Sequence, residues 1–222
     1  LSRKHLLRAV EDSLKRLQVE TIDLYQSHWP DEDTPIEETL RAYEEMITQG
    51  KVRYIGCSNH TPTQLRQSLT VSTENNLARY ESVQPHYNLV HRLEYEREMM
   101  GLCRAEGLGV IPYSPLAGGF LTGKYKRTGE IPAQSRGYGN TRMKPYMNDQ
   151  GYAIIAALDE IGQQHEASIA QIALAWILAN PTVTSAIVGA NRVSQLAESL
   201  KSIDITLSAA EKTRLDGLPS PT

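Results

Sequence analysis

This sequence has few cysteines, no excess of basic charge and no long apolar runs. Its 222 residues include two cysteines, and the formal net charge is −3. Two thiols far apart are typical of a chain that folds in a reducing compartment, not of one held by disulfide bonds. Proteins that bind nucleic acid usually carry a basic excess, and a membrane helix needs about 20 apolar residues. We therefore expect a cytoplasmic protein that binds neither nucleic acid nor a membrane.

Several motifs of known catalytic sites are also missing. The chain has no Gly-x-Ser-x-Gly turn, so a serine hydrolase of that type is not expected. His86 and His91 lack the neighbouring ligands and the spacing of a zinc site, and we expect no metal. Residues 118–124 match the phosphate-loop pattern Gly-x4-Gly-Lys, but Tyr125 stands where magnesium binding requires serine or threonine. The sequence therefore disfavours a nucleoside triphosphatase as well.

What the chain does contain is a regular alternation of strand and helix patterns, recognised from the spacing of its apolar residues. The predicted strands cover residues 22–26, 52–57, 82–84, 109–113 and 184–188. The predicted helices cover residues 2–18, 35–49, a segment from about 61, 93–106, 149–165, 168–179, 193–202 and 208–218. No linker interrupts the series, so we expect a single domain over residues 1–222.

Strand followed by helix, five times over, predicts an α/β protein with a parallel sheet. A doubly wound sheet and a barrel both fit this rhythm. In either fold the loops at the carboxyl ends of the strands converge to form the site. Groups suited to binding stand at the carboxyl ends of all five predicted strands: His28, Ser58 with Asn59, Gln84, Tyr113 and the segment 189–192.

Each of these groups also has a purely structural explanation. His28 is suited to donate a hydrogen bond to a substrate carbonyl, and equally to a structural role. Trp29 beside it fits either the core or the wall of an apolar pocket. Ser58 and Asn59 suit a helix entry as well as a ligand, and Tyr113 suits the core as well as a flat ligand ring. Only their meeting at one mouth would favour binding.

Two further segments suit a phosphate. Residues 189–192 open a predicted helix, where backbone amides and the helix dipole favour anions. Arg192 there suits a 2′-phosphate or an adenine ring, although a solvated surface arginine is the alternative. The glycines of segment 118–123 allow a backbone to approach a pyrophosphate closely.

Four segments together resemble the aldo-keto reductase family: DLYQSHWP at 23–30, GKVRYIGCSN at 50–59, VQPHYN at 83–88 and YSPLAGG at 113–119. Segment 187–200 is similar to the family too. The resemblance covers nearly the whole chain and is strongest to bacterial members related to potassium-channel β-subunits. It implies a (β/α)8 TIM barrel that binds NADPH and reduces aldehydes or ketones to alcohols, with a small carbonyl compound as substrate.

The resemblance also implies a role for individual residues. His28 corresponds to the histidine that orients the substrate carbonyl, and Trp29 lies beside the substrate. The residues that would hold the nicotinamide carboxamide are Ser58, Asn59 and Gln84, with Tyr113 stacked on the ring. Those of the pyrophosphate loop are Ser114, Leu116, Gly118, Leu121 and Lys124. Those at the 2′-phosphate and adenine are Gly189, Asn191, Arg192, Gln195, Glu198 and Ser199.

The chain departs from the family in two ways. Gly189 and Ala190 stand where many members have lysine and serine, and Ser199 where they have asparagine. We expect Arg192 to compensate, so that NADPH stays favoured over NADH.

The larger departure concerns catalysis, because the family's tyrosine, lysine and aspartate belong to three β/α units that would precede residue 1. We therefore expect a truncated chain that forms a partial barrel, about strands 4–8 with a C-terminal helix, and has little activity alone. A non-catalytic NADPH-binding regulatory subunit and an inactive fragment are the alternatives. The sequence identifies neither the substrate nor the oligomeric state.

Overall fold

The computed structural model describes residues 1–128, 131, 133, 135, 137–138 and 141–221, without the side chains of residues 141 and 142. The chain forms two compact units. The first comprises Leu1–Pro85 and Gly101–Val110, and the second comprises His86–Met100 and Ile111–Thr222. Within the described ranges, no helix is both long enough and apolar enough to cross a membrane.

The first unit alternates helices and strands along the chain. Its elements are α1 (Arg3–Leu17), β1 (Ile22–Ser27), α2 (Ile36–Thr48), β2 (Val52–Ser58), α3 (Pro62–Glu74), β3 (Tyr80–Gln84), α4 (Met100–Glu106, apart from its first residue) and β4 (Gly109–Val110). All four strands are parallel, and their order in the sheet is β1-β2-β3-β4. Each crossover therefore leads to the next strand, without the reversal of order that marks a doubly wound sheet.

Local sequence explains where the helices of this unit lie. The helix α1 buries Leu6, Val10 and Leu14, which recur at spacings of four on one face. The helix α3 begins with a reciprocal cap, because the Thr61 side chain accepts from the Gln64 backbone and the Gln64 side chain accepts from the Thr61 backbone. The apolar face of α1 and the N-terminal cap of α3 are thus both encoded by nearby residues in the sequence.

The second unit is mainly helical. It contains a π-helical turn (Tyr95–Met99), two 3-10 segments (Ala117–Thr122 and Thr141–Tyr146), α5 (Asp149–Gln164), α6 (Ile169–Leu178), α7 (Val193–Leu200), a 3-10 turn (Lys201–Asp204) and α8 (Ala209–Asp216). The helix α6 is almost entirely buried, and its Trp176 ring lies 5.3 Å from that of Tyr87. An aromatic core therefore holds this unit together.

A buried arginine fastens the end of the second unit. Arg92 donates from Nη2 to the backbone oxygens of Asp216 and Leu218, at 2.6 and 2.7 Å. Its guanidinium also lies 5.9 Å from the centroid of the Trp176 ring. Trp176 Nε1 in turn donates to the Asp216 carboxylate at 2.8 Å. The segment after α8 is thus held through its carbonyl groups.

The prediction of five strands is wrong for the part of the chain that the structure describes. Residues 184–188 do not form a strand, and β4 stops at Val110 although we expected it to reach Tyr113. Ile187 N still donates to Pro112 O at 2.9 Å. Pro112 has no backbone N–H to donate to a neighbouring strand, so a regular β-ladder does not form beside it. The apolar residues at 184–188 predicted a strand, but a strand also needs a hydrogen-bonded partner, and the segment around Pro112 does not provide a regular one.

We predict that Gly56→Ala lowers the free energy of unfolding by about 1–3 kcal/mol, as overpacking does. An added Cβ would lie 2.3 Å from Ser82 Oγ and 3.0 Å from Ser82 O, and so would push β2 away from β3. Gly101→Ala is the matched control, because a Cβ there meets nothing within 4 Å. We expect it to be neutral or to stabilise α4 by up to about 1 kcal/mol. Urea unfolding measures both; an equal effect of the two substitutions would contradict the packing argument.

Candidate active site

The carboxyl ends of β1, β2 and β3 bring four candidate residues of the first unit together. Ser58 Oγ donates to Gln84 O at 2.8 Å, which links the ends of β2 and β3. Asn59 Nδ2 donates to His28 O at 2.8 Å, which links the ends of β2 and β1. The two bonds hold the four residues next to one another through the backbone oxygens of His28 and Gln84, and their joint role in a site stays a prediction.

Backbone conformation explains why asparagine follows β2. Asn59 has φ +58°, in the left-handed region that asparagine tolerates better than most residues. Beyond it, His60 Nδ1 lies 3.0 Å from Ser58 O, and α3 begins within a few residues. Burial lowers the pKa of His60, so its imidazole stays neutral at neutral pH. The turn thus ends the strand and directs the Asn59 amide toward β1.

Buried hydroxyl groups of Tyr43 and Tyr80 hold Ser27, the last residue of β1, by hydrogen bonds. Ser27 Oγ lies 2.7 Å from the Tyr43 hydroxyl and 3.1 Å from the Tyr80 hydroxyl. Burial raises the pKa of both tyrosines, so they remain neutral. His28 follows directly and is exposed, with its ring parallel to that of Trp29 at a centroid distance of 6.1 Å. Its imidazole is therefore accessible to a ligand.

Trp29 is 61% exposed, and this excludes the core position that the sequence left open. Its part in a substrate pocket is untested and stays a prediction.

In the second unit Tyr113 belongs to a column of three stacked rings. The Tyr113 and His86 centroids are 5.0 Å apart with the planes 11° from parallel, and His86 and His91 are 3.9 Å apart at 20°. Burial and the neighbouring His91 lower the pKa of His86 to about 4. The column is therefore uncharged at His86 near neutral pH, and Tyr113 offers its ring next to a flat neutral partner.

The loop after Tyr113 is built for close approach of its backbone. Gly118, Gly119 and Gly123 have φ of +66°, +97° and +73°, and Ser114 also has a positive φ, +54°. A Cβ on Gly119 would lie 2.8 Å from Lys124 Nζ, so glycine lets the ammonium group fold over the loop. Leu121 is fully buried, and its predicted contact with the cofactor stays a prediction.

The entry of α7 places the remaining candidates. Arg192 occupies the N-cap position in an extended conformation, and its side chain makes no capping hydrogen bond. Gln195 Oε1 accepts from Asn191 N at 2.9 Å and so orders the approach to the helix. Glu198 and Ser199 use their backbone oxygens within the unit, accepting from Gln171 and Ser202. Gly189 has open space where a side chain would be. This exposed helix entry suits an anion.

Three residues near Tyr113 were missed as site candidates in the sequence: His86, Asn88 and His91. The two histidines had been weighed only as metal ligands. The available signal was the alternation of side chains along a strand, since His86 lies two residues after Gln84 in the sequence.

These features define an α/β protein whose polar side chains lie at the carboxyl ends of neighbouring parallel strands, with a glycine-rich loop and an exposed helix entry. A family model described as the aldo/keto reductase family matches residues 1–219. The chain belongs to the aldo-keto reductase family.

Individual relatives agree with the resemblance found in the sequence. The chain is 38% identical to a probable voltage-gated potassium channel subunit beta of Oryza sativa subsp. japonica, over 92% of this chain and 63% of that protein. It is 35% identical to L-glyceraldehyde 3-phosphate reductase of Escherichia coli (strain K12), over 97% and 63%. It thus spans somewhat less than two thirds of the length of these relatives.

A solved structure of a thermostable aldo-keto reductase in complex with the inhibitor epalrestat is also similar. Its sequence is 34% identical, the TM-score is 0.77, and the match covers 99% of this chain and 68% of that one. The parallel α/β fold is therefore shared with a member of the family.

The low pKa of His86 makes stability depend on pH. An unfolded histidine takes up a proton near pH 6.5, whereas folded His86 does so only near pH 4. Within this window the unfolded state binds more protons, so stability falls as the pH falls. We predict that urea unfolding at pH 7 and at about pH 5 shows a larger loss for the wild type than for His86→Phe. Equal losses would contradict the assignment.

Proposed function

We propose that the protein is an NADPH-dependent oxidoreductase that reduces aldehydes or ketones to alcohols. The observation that carries the proposal is the linked set of His28, Ser58, Asn59 and Gln84 at the ends of three adjacent strands. When bound, NADPH supplies a hydride from its nicotinamide ring. The residues of this chain would bind and orient that cofactor and the carbonyl substrate.

The first unit supplies polar groups that match a carboxamide. A carboxamide presents two N–H donors and one carbonyl acceptor, and serine, asparagine and glutamine side chains offer both kinds of partner. Ser58 already donates its proton to Gln84 O, so its oxygen is left as an acceptor for an incoming N–H. Such a fixed set would orient a nicotinamide and leave one face of the ring toward the substrate.

His28 is the residue of this chain proposed to act on the substrate. Reduction places negative charge on the carbonyl oxygen, and an imidazole N–H donating to that oxygen stabilises the charge. The exposed His28 ring beside Trp29 is accessible for this contact. Protonation of the product also needs an acid. The resemblance assigns that part to a tyrosine with no counterpart in this sequence, and the low activity expected of the 222 residues alone stays a prediction.

The second unit carries groups suited to the phosphates. Lys124 beside the left-handed glycines of the loop suits a pyrophosphate, and the exposed entry of α7 with Arg192 suits a 2′-phosphate. We propose Arg192 as the residue that favours NADPH over NADH.

The proposal also includes the barrel fold, the single domain and the cytoplasmic location. Strand order that follows chain order is that of a (β/α)8 barrel, and we propose that this sheet is part of one. A single domain over residues 1–222 and a cytoplasmic location likewise stay predictions.

An NADPH-oxidation assay with a panel of small aldehydes and ketones tests the activity. We expect a form that also carries the family's tyrosine, lysine and aspartate to consume NADPH only when a carbonyl substrate is present, and the 222 residues alone to consume little. His28→Ala should lower kcat/KM by about 10- to 1000-fold, the range for loss of a donor to a developing oxyanion. His5→Ala, on the exposed face of α1, is the control. An equal rate for wild type and His28→Ala would remove His28 from the proposed mechanism.

For cofactor choice, we predict that Arg192→Ala weakens NADPH binding by about 10- to 100-fold, as loss of a charge-assisted contact does. Binding of NADH, which lacks the 2′-phosphate, should stay within about twofold. Arg66→Ala, which changes an exposed arginine on α3, is the matched control. Titration calorimetry measures all three proteins, and an equal loss for NADPH and NADH would contradict the assignment.

The similarity to potassium-channel β-subunits favours one other function, a regulatory subunit that binds NADPH without turnover. Tight NADPH binding with no carbonyl reduction across the substrate panel, in a form that also carries the family's tyrosine, lysine and aspartate, would support that function instead.

A further inference from the structure

His86 is placed against Tyr113 by the backbone and not only by side-chain packing. The two residues form an isolated parallel β-bridge in the second unit. Side chains of paired residues stand on the same face, so the bridge sets their rings side by side. The measured geometry, 5.0 Å between centroids and 11° between planes, is that of an offset stack.

A tight turn then brings His91 back against the His86 ring. Asn88 and His91 exchange two backbone hydrogen bonds of 3.0 Å, and Val90 N donates to Asn88 Oδ1 at 3.0 Å. Leu89 and Val90 within the turn are buried, which fixes it in the core of the unit. As a result the His91 ring lies 3.9 Å from that of His86.

Asn88 joins this turn to the loop that follows Tyr113. Its side chain is fully buried, and Nδ2 donates to Ser114 O at 3.0 Å. The same nitrogen lies 3.3 Å from His86 Nε2. One amide group therefore contacts both the His86 ring and the residue next to Tyr113, and it fixes the His86 ring relative to the backbone beside Tyr113.

We propose that His86 is a positioning residue for the cofactor: backed by His91, it holds the Tyr113 ring in the plane on which the nicotinamide stacks. This inference rests on the proposed function, since it assumes that Tyr113 receives a nicotinamide. A tyrosine ring has two rotatable side-chain bonds, and a flat neighbour that fixes its plane lowers the entropy lost when a ligand ring stacks on it. The His86 ring is the neighbour that provides this preorganisation.

The test compares two substitutions of similar size at His86. Phenylalanine keeps a flat ring against Tyr113, whereas leucine fills the space without one. Calorimetry measures binding of NADPH and of adenosine 2′,5′-bisphosphate, which carries the adenosine and 2′-phosphate but has no nicotinamide. We expect His86→Leu to weaken NADPH binding by about 3- to 10-fold, the range of one aromatic pair, and to leave the bisphosphate affinity unchanged. His86→Phe should bind both ligands as the wild type does.

The outcomes separate this inference from the proposed function. Equal NADPH affinity in the wild type and both variants would overturn the role of His86 and leave the cofactor proposal standing. An equal loss of both ligands in His86→Leu would show that His86 is merely structural, which also overturns the inference. Failure of the wild type to bind either ligand would overturn the cofactor proposal, and the inference with it. If His86→Leu does not fold, His91→Leu removes the support behind His86 and should weaken NADPH binding selectively by a smaller factor.

Discussion

The parallel pairing of β1, β2 and β3 is the constraint on which the candidate active site depends. Successive residues of a strand point to opposite faces, so a shift of one residue in register would send every side chain to the wrong side. The observed register puts Ser27 opposite Cys57 and Ser58 opposite Gln84. Because the strands stop within one residue of the same level, the polar residues at and just after their ends can hydrogen bond to one another across the sheet.

The two units bring their candidate site residues together in different ways. In the first, regular strands bring side chains together, and hydrogen bonds between strand ends then fix them. In the second, one isolated bridge and one turn do so, and the rings of His91, His86 and Tyr113 stack where a ladder does not form. A site held by stacking tolerates small changes in backbone geometry, but it depends on flat side chains at specific positions.

Much of the fold could be predicted from the sequence, because the signals were local. The apolar spacing in α1, the proline and threonine at the entry of α3 and the polar residues after β1, β2 and β3 all depend on neighbours in the chain. The strand expected at 184–188 failed because a strand also needs donors on the partner segment, and Pro112 offers none. The stacking of His86 could not be predicted for a related reason, since it depends on a bridge to a distant residue.

The resemblance to a family supplied what the residues alone could not. Ser58, Asn59 and Gln84 are ordinary turn and strand-end residues, and nothing in their types marks a cofactor contact. The structure adds that Ser58 is tied to Gln84 and Asn59 to His28 by hydrogen bonds. It also shows that Trp29 is exposed, which excludes the core position, one of the two that the sequence left open.

The anchoring of the C-terminal segment by Arg92 has a consequence for how the protein should be handled. Arg92 directly follows His91, and its guanidinium binds the carbonyls of Asp216 and Leu218. Removing these residues would leave a buried cation with neither acceptor, next to the turn that supports the aromatic stack. An affinity tag is therefore safer when it is fused beyond Leu218 through a spacer than when it replaces the last residues of α8 and the segment after them.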